Sequence, residues 1–219
     1  EIFLSFLPLS HSYEHTAGLV FPMAIGAQIY FCEGVEKLSD NMAETQPTIM
    51  TAVPRLYETL RGRILKGVER TGGFKQKLFM TALRLGIKAY EKPGSLSLLE
   101  ILTNALVERM VRDKVRARFG GRLKALVSGG APLNYDVGLF FTALGLRILQ
   151  GYGQTESAPV ISCNTPLRPK LHTVGPPIAN TLVKIALDGE ILVQGELVMQ
   201  GYWNHPDITA QVIRDGWLH

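Results

Sequence analysis

Two glycine turns carry the side chains best suited to chemistry in this 219-residue chain: SGGAP, residues 128 to 132, and QGYGQTE, residues 150 to 156. Glycines placed after a strand let the backbone approach a ligand closely and aim its N–H groups at it. In the first turn Gly129 and Gly130 precede small Ala131 and rigid Pro132, a shape suited to lying flat against a planar ring. In the second, Tyr152 offers an aromatic face and Thr155 a hydroxyl for a phosphate oxygen. Glu156 adds a hard carboxylate of the kind that binds Mg2+ beside phosphate oxygens. Together they suit a nucleotide with its metal. The same spacing suits two ordinary sheet-edge connections with a solvated Glu156, and short glycine motifs alone do not decide between these.

The elements that must position these turns follow from the hydropathy pattern. The apolar runs 2–9, 27–32 and 48–53 read as strands, with helical patterns at 12–26 and 35–46 between them. The run 123–128 precedes the first glycine turn and 146–150 enters the second; Asn134 can cap the helix between them, which runs to about Gly145. Strand alternating with helix implies a parallel sheet with right-handed crossovers. Five strands are then available, and both turns lie at carboxyl ends, where open α/β sheets bind ligands.

A helical insertion interrupts this pattern from about residue 54 to 119, with Pro54 as a favoured first helical residue. Phe74, Leu78, Ala82, Leu85 and Ala89 recur at helical spacing, as do Leu99, Leu102, Leu106 and Met110. These helices are expected to be amphipathic with basic outer faces. From Arg55 to Lys124 there are 17 Lys and Arg against 6 Asp and Glu, so the net charge of +4 conceals a local excess. Such a segment suits either an anionic membrane surface or a simple solvated face. Nucleic acid is not expected as a partner, because interleaved exposed aromatics are lacking.

Past residue 156 the texture changes to short strands and turns, with Asp188-Gly189 a hairpin candidate. The fold class is therefore α/β, a parallel sheet flanked by helices with a helical insertion, followed by a smaller β-rich subdomain. The expected division is 1–156 and 157–219, with Trp203 and Trp217 as packing residues of the second part.

Cys32 and Cys163 form no CxxC pair and have no His spacing for zinc, so a reducing, cytoplasmic compartment is expected. The longest apolar stretch, 17–32, is shorter than the ~20 residues of a membrane span and contains Pro22, Gly26 and Gln28. It reads as core. The chain opens at Glu1 without a signal pattern and reads as an internal piece of a longer protein.

In order along the chain, LPLSHSYEHTAG, SGGAPL, QGYGQTES, VGPPI, GEILVQGELVMQGYW, NHPDIT and DGWLH resemble the adenylate-forming superfamily of acyl-CoA synthetases, adenylation domains and luciferases. LPLSHSYE, the basic insertion and QGYGQTE look most like long-chain fatty acyl-CoA synthetases, of whose N-terminal domain this would be a part. The resemblance implies two steps. A carboxylate attacks the α-phosphorus of MgATP to give acyl-AMP and pyrophosphate, and the thiol of coenzyme A then takes the acyl group.

Carried over by position, Gly129, Gly130, Ala131 and Pro132 would flank adenine, with Gln150, Gly151, Tyr152, Gly153 and Gln154 completing the slot. Thr155 would hold phosphate and Glu156 Mg2+. His11, by itself more often a packed core residue, matches a family position near the reacting carboxylate, and Tyr13 and His15 would line the acyl tunnel. The implied substrates are a fatty acid, ATP and coenzyme A; the basic segment would allow a peripheral contact at the inner membrane face. The family's Ser/Thr/Gly-rich phosphate loop, its ribose-binding Asp and its catalytic lysine do not occur in this sequence, so turnover by the chain alone is not expected. A sheet cut from its upstream half would also expose an apolar edge around 2–9 or 27–32 and invite self-association. The alternatives are a fatty acyl-AMP ligase that delivers to a carrier protein, and a non-catalytic nucleotide- or lipid-binding module.

Overall fold

The apolar runs pair into a single large sheet in the computed structural model, which describes residues 1–167 and 169–219. Its strands are β1 (Ile2–Ser5), β2 (Gln28–Phe31), β3 (Ile49–Ala52), β4 (Ala125–Ser128), β5 (Ile148–Tyr152) and β6 (Ser162–Cys163), in the order β2-β1-β3-β4-β5-β6. The first five are parallel, as the alternation of strand and helix implies. β6 adds an antiparallel edge to β5 and was not expected, since two residues make no apolar run. It also carries the first sheet past residue 156. Of the two candidate edges, β1 lies inside the sheet and β2 is the open one, with Tyr30 and Phe31 exposed.

Between β1 and β2 the helical pattern at 12–26 forms as α1 (Ser12–Glu14), a π-helical stretch His15–Val20, and α2 (Phe21–Ala24). α3 (Leu38–Thr45) leads to β3, and the insertion supplies α4 (Pro54–Thr71), α5 (Gly73–Glu91), α6 (Leu98–Val107), a second π-helical stretch Glu108–Arg112, and α7 (Asp113–Arg118). α8 (Tyr135–Ala143) joins β4 to β5; Asn134 Oδ1 caps it, accepting from the Asp136 and Val137 amides at 2.9 and 3.3 Å. Leu4, Met50, Leu126 and Ile148 of the strands bury against Tyr57, Phe79, Leu85, Phe140 and Phe141 of α4, α5 and α8.

The basic outer face expected of the insertion fails on α6. Leu98, Leu99 and Leu102 are 82%, 74% and 69% exposed, and Leu106 also points outward. The side of α6 that meets the rest of the protein is the one carrying Glu100 and Val107. Glu100 closes a capping box with Ser97 and pairs with Lys88 of α5 at 2.7 Å, while Val107 turns into the core. Glu100 thus faces α5 while the leucine stripe faces out. Arg112 departs from expectation too: it is buried, donating to the Ala82 and Ala143 carbonyls at 2.7 Å each and pairing with Glu108.

A second sheet of β7 (Thr181–Ile185), β8 (Ile191–Gly195), β9 (Ile213–Arg214) and β10 (Trp217–Leu218) has the order β7-β8-β10-β9, with α9 (Pro206–Val212) before β9. The hairpin at Asp188-Gly189 forms as expected, Asp188 Oδ1 accepting from the Glu190 amide at 3.1 Å. Ile161, Val193 and Leu218 make its small core. Trp203 is no packing residue; it is 87% exposed, because the chain at 199–202 turns toward the first sheet and leaves the next side chain outside. Among the described residues, no helix is long and apolar enough to cross a membrane.

Candidate active site

Parallel pairing places the carboxyl ends of β1, β3, β4 and β5 on one edge of the sheet, so His11 to Glu14, Gly129 to Pro132 and Gly153 to Glu156 all emerge there. The first glycine turn is supported from beneath. Gly129 donates its amide to the Ala52 carbonyl at 3.2 Å, and a Cβ on it would come within 3.0 Å of the Tyr13 ring. Gly130 follows with φ +78°, a left-handed conformation that favours glycine. Tyr13 itself is buried, and its hydroxyl donates to the Val127 carbonyl at 3.1 Å, sharing that acceptor with Tyr57 at 3.0 Å. Burial raises both phenols well above the ordinary tyrosine range, so both remain donors. The structure therefore makes Tyr13 a strut under the turn.

In the second turn, Gln150 is buried and its side chain is engaged inside the protein. Its Oε1 accepts from the Leu133 amide at 2.7 Å, and its Nε2 donates to the Leu171 and Thr173 carbonyls at 3.4 and 3.3 Å. It thereby locks the end of SGGAPL to β5. Tyr152 is half-buried against the small second core. A Cβ on Gly153 would overlap the Pro159 carbonyl. Gln154 and Ser157 cap one another, which shapes the short 3-10 turn Thr155–Ser157.

Thr155 is exposed, with its Oγ1 3.2 Å from Ser12 Oγ. Glu156 receives the Tyr202 hydroxyl on Oε1 at 2.8 Å, and its carbonyl accepts from the Met199 amide at 2.8 Å. The bond to Glu156 raises the Tyr202 phenol above its ordinary value. Among the described residues Oε2 of Glu156 has no hydrogen-bond donor.

His11 is exposed and caps α1, its Nδ1 accepting from the Tyr13 amide at 3.1 Å, which leaves Nε2 as the nitrogen able to meet a ligand. His15 is exposed on the π-helical stretch one turn later. The residue that sequence reasoning missed is Glu14. It is fully buried, with Oε1 accepting from Ser5 Oγ at 2.7 Å and the Phe6 amide at 3.1 Å, and Oε2 from Thr51 Oγ1 at 2.7 Å. A Cβ at Gly18 would overlap this carboxylate, so the π-helical stretch is closed over it. Only the composition of SYEH gave a signal, an acid inside an apolar context.

Residues 1–203 match the sequence pattern of the AMP-binding enzymes. The chain belongs to that family. Among the family's curated members, it is 32% identical over 220 residues to the long-chain-fatty-acid–CoA ligase FadD15 of Mycobacterium bovis, covering all of this chain and 36% of that protein. It is 33% identical to the peroxisomal long chain acyl-CoA synthetase 6 of Arabidopsis thaliana and 33% to the human long-chain-fatty-acid–CoA ligase 1, covering all of this chain and 32% of each. The chain thus spans about a third of the length of the curated relatives it matches.

The fold agrees. An o-succinylbenzoate CoA synthetase of Bacillus subtilis superimposes with a TM-score of 0.67 at 19% identity, over all of this chain and 37% of that one. The same enzyme in complex with ATP and magnesium ion gives 0.65 over 38% of its length. The resemblance to adenylate-forming enzymes drawn from the ordered motifs is therefore correct.

In this chain three strand ends converge: residues 11–14 touch Thr155 through Ser12, the SGGAP turn through Tyr13, and the sheet through Glu14. Among the described residues no three His, Cys, Asp or Glu side chains group into a protein-only metal cage. One carboxylate with a free oxygen beside a threonine hydroxyl is instead a donor set that fits Mg2+ arriving with phosphate oxygens.

Proposed function

We propose that this chain forms the nucleotide- and acyl-facing part of an ATP-dependent long-chain fatty acid–CoA ligase. The observation that carries the reading is the junction of Ser12 and Tyr13 with both glycine turns, at 3.2 Å from Thr155 and in contact distance of Gly129. An acyl substrate approaching along the segment after β1 and a nucleotide held by the turns after β4 and β5 would meet there. In the reaction, a fatty acid carboxylate oxygen bonds to the α-phosphorus as the bond to pyrophosphate breaks. The thiolate of coenzyme A then attacks the acyl carbon and AMP leaves.

In this reading Gly129 to Pro132 and Gly151 to Gln154 present backbone to the adenine, and Gln150 holds the two turns at fixed spacing without touching it. Thr155 donates to a phosphate oxygen, Glu156 Oε2 takes the metal side, and His11 Nε2 orients the carboxylate. His15, exposed one turn on, stands at the entrance of the acyl path. Bound Mg2+ would neutralise phosphate charge. What the chain contributes is position and fixed dipoles, the usual source of such catalysis.

The test is carboxylate-dependent ATP–pyrophosphate exchange in the full-length protein, with palmitate and with benzoate. Exchange with palmitate, weak exchange with benzoate, and loss of both in Glu156→Gln at an unchanged melting temperature are expected. Wild-type exchange in Glu156→Gln, or preference for benzoate, contradicts the reading.

A further inference from the structure

Glu156 belongs to the edge of the large sheet, yet the groups that hold it come from the chain beyond β8. The Met199 amide fixes its backbone carbonyl at 2.8 Å and the Tyr202 hydroxyl fixes Oε1 at 2.8 Å. Tyr202 is itself anchored. Its amide donates to Thr209 Oγ1 of α9 at 2.9 Å, and that hydroxyl donates to the His205 carbonyl at 2.8 Å. The preceding Gly201 has φ +147°, and a Cβ there would stand 2.7 Å from the Thr209 side chain, so the anchor is close-packed. A continuous line of contacts thus runs from α9 through Tyr202 to one oxygen of Glu156.

We propose that Tyr202 is a positioning residue that sets the divalent-cation affinity of the site by holding Glu156 Oε1, so that Oε2 alone faces an arriving metal–nucleotide. The inference rests on the reading of Glu156 as the metal-side carboxylate. A glutamate on a solvated turn samples several rotamers, and only some present an oxygen to the ligand. A hydroxyl that donates to one oxygen selects among them. Partners of this kind behind a ligating group commonly change metal affinity ~10–100-fold. The arrangement also makes the β-rich part a contributor to a site whose other residues lie on the large sheet.

The experiment titrates Mn2+ into the full-length protein with a non-hydrolysable ATP analogue, following free Mn2+ by electron paramagnetic resonance. Wild type, Tyr202→Phe, Glu156→Gln, Glu156→Asp and the Glu156→Asp/Tyr202→Phe double variant are compared. Tyr202→Phe keeps the ring and should melt as wild type does. Nucleotide-dependent Mn2+ binding is expected to weaken about 10-fold in Tyr202→Phe. Because the shorter Asp side chain cannot serve both the metal and the phenol, Tyr202→Phe should have little further effect in the Glu156→Asp background. The Mg2+ concentration for half-maximal exchange should move in parallel. Unchanged or tighter Mn2+ binding in Tyr202→Phe, with Glu156→Gln still defective, overturns the inference and leaves the site reading intact. Unchanged binding in Glu156→Gln overturns the site reading itself. If Tyr202→Phe melts lower, the double-variant comparison decides: a full further loss in the Glu156→Asp background refutes the coupling.

Discussion

Replacing Glu14 tests its place as a shared acceptor between two strand ends. The carboxylate is fully buried and serves three donors, Ser5 Oγ, the Phe6 amide and Thr51 Oγ1, which come from the ends of β1 and β3. In Glu14→Ala the Phe6 amide loses its acceptor with no rotation available to it, which costs ~1–3 kcal/mol, and the two hydroxyls lose ~1 kcal/mol each on turning elsewhere. These terms come to about 3–5 kcal/mol, and the cavity left by the side chain adds to that loss. In Glu14→Gln the amide oxygen can replace Oε1 for Ser5 and Phe6, while the amide N–H faces Thr51 Oγ1, which can rotate to accept. All three contacts are kept, so the loss should be clearly smaller than in Glu14→Ala. Urea unfolding at neutral pH, followed by circular dichroism, gives both numbers. Equal losses in the two variants, or a loss under 1 kcal/mol in Glu14→Ala, would refute the claim that this carboxylate works as a shared acceptor.

Three more outcomes are expected. Gly153→Ala forces a Cβ onto the Pro159 carbonyl, so it should cost about 1–3 kcal/mol of stability and weaken nucleotide binding in isothermal titration; wild-type values for both would show that the turn relaxes freely. The Glu100 carboxyl is held down from 4.5 to about 2, first by its bond to Lys88 and then by the Ser97 amide. Its contribution is therefore full above about pH 4.5 and lost as pH falls toward 2; the stability gap between wild type and Glu100→Gln should be flat above pH 5 and close below it, and a gap that widens on acidification reverses the sign. The outward apolar side of α6 beside a basic segment should bind anionic vesicles, with ~1 kcal/mol from each basic residue near the surface. Sedimentation should fall as salt rises and in Leu99→Glu/Leu102→Glu; salt-independent binding, or none, counts against it.

The five parallel strands were legible because each is a short apolar run bounded by Gly, Pro or a polar turn, and the glycine turns after two of them were legible for the same reason. What periodicity cannot tell is which side of a helix faces inward. On α6 Leu99, Leu102 and Leu106 do form a stripe, but Glu100 faces α5 and Val107 the core, and the stripe points out. Long-range partners were equally hidden. Glu14 meets Thr51 across 37 residues and Glu156 meets Tyr202 across 46, and nothing local to either acid announces the other half. The bond between the Gln150 side chain and the Leu133 amide was hidden in the same way, since its two ends lie 17 residues apart.

The central claim is that the turns at 128–132 and 150–156 grip one nucleotide from two sides. Photolabelling of the full-length protein with 2-azido-ATP, followed by peptide mapping, addresses it directly. The account predicts label within residues 128–134 and 150–156, removed by excess ATP and reduced in Gly153→Ala. ATP-protected label confined to other parts of the chain would contradict it.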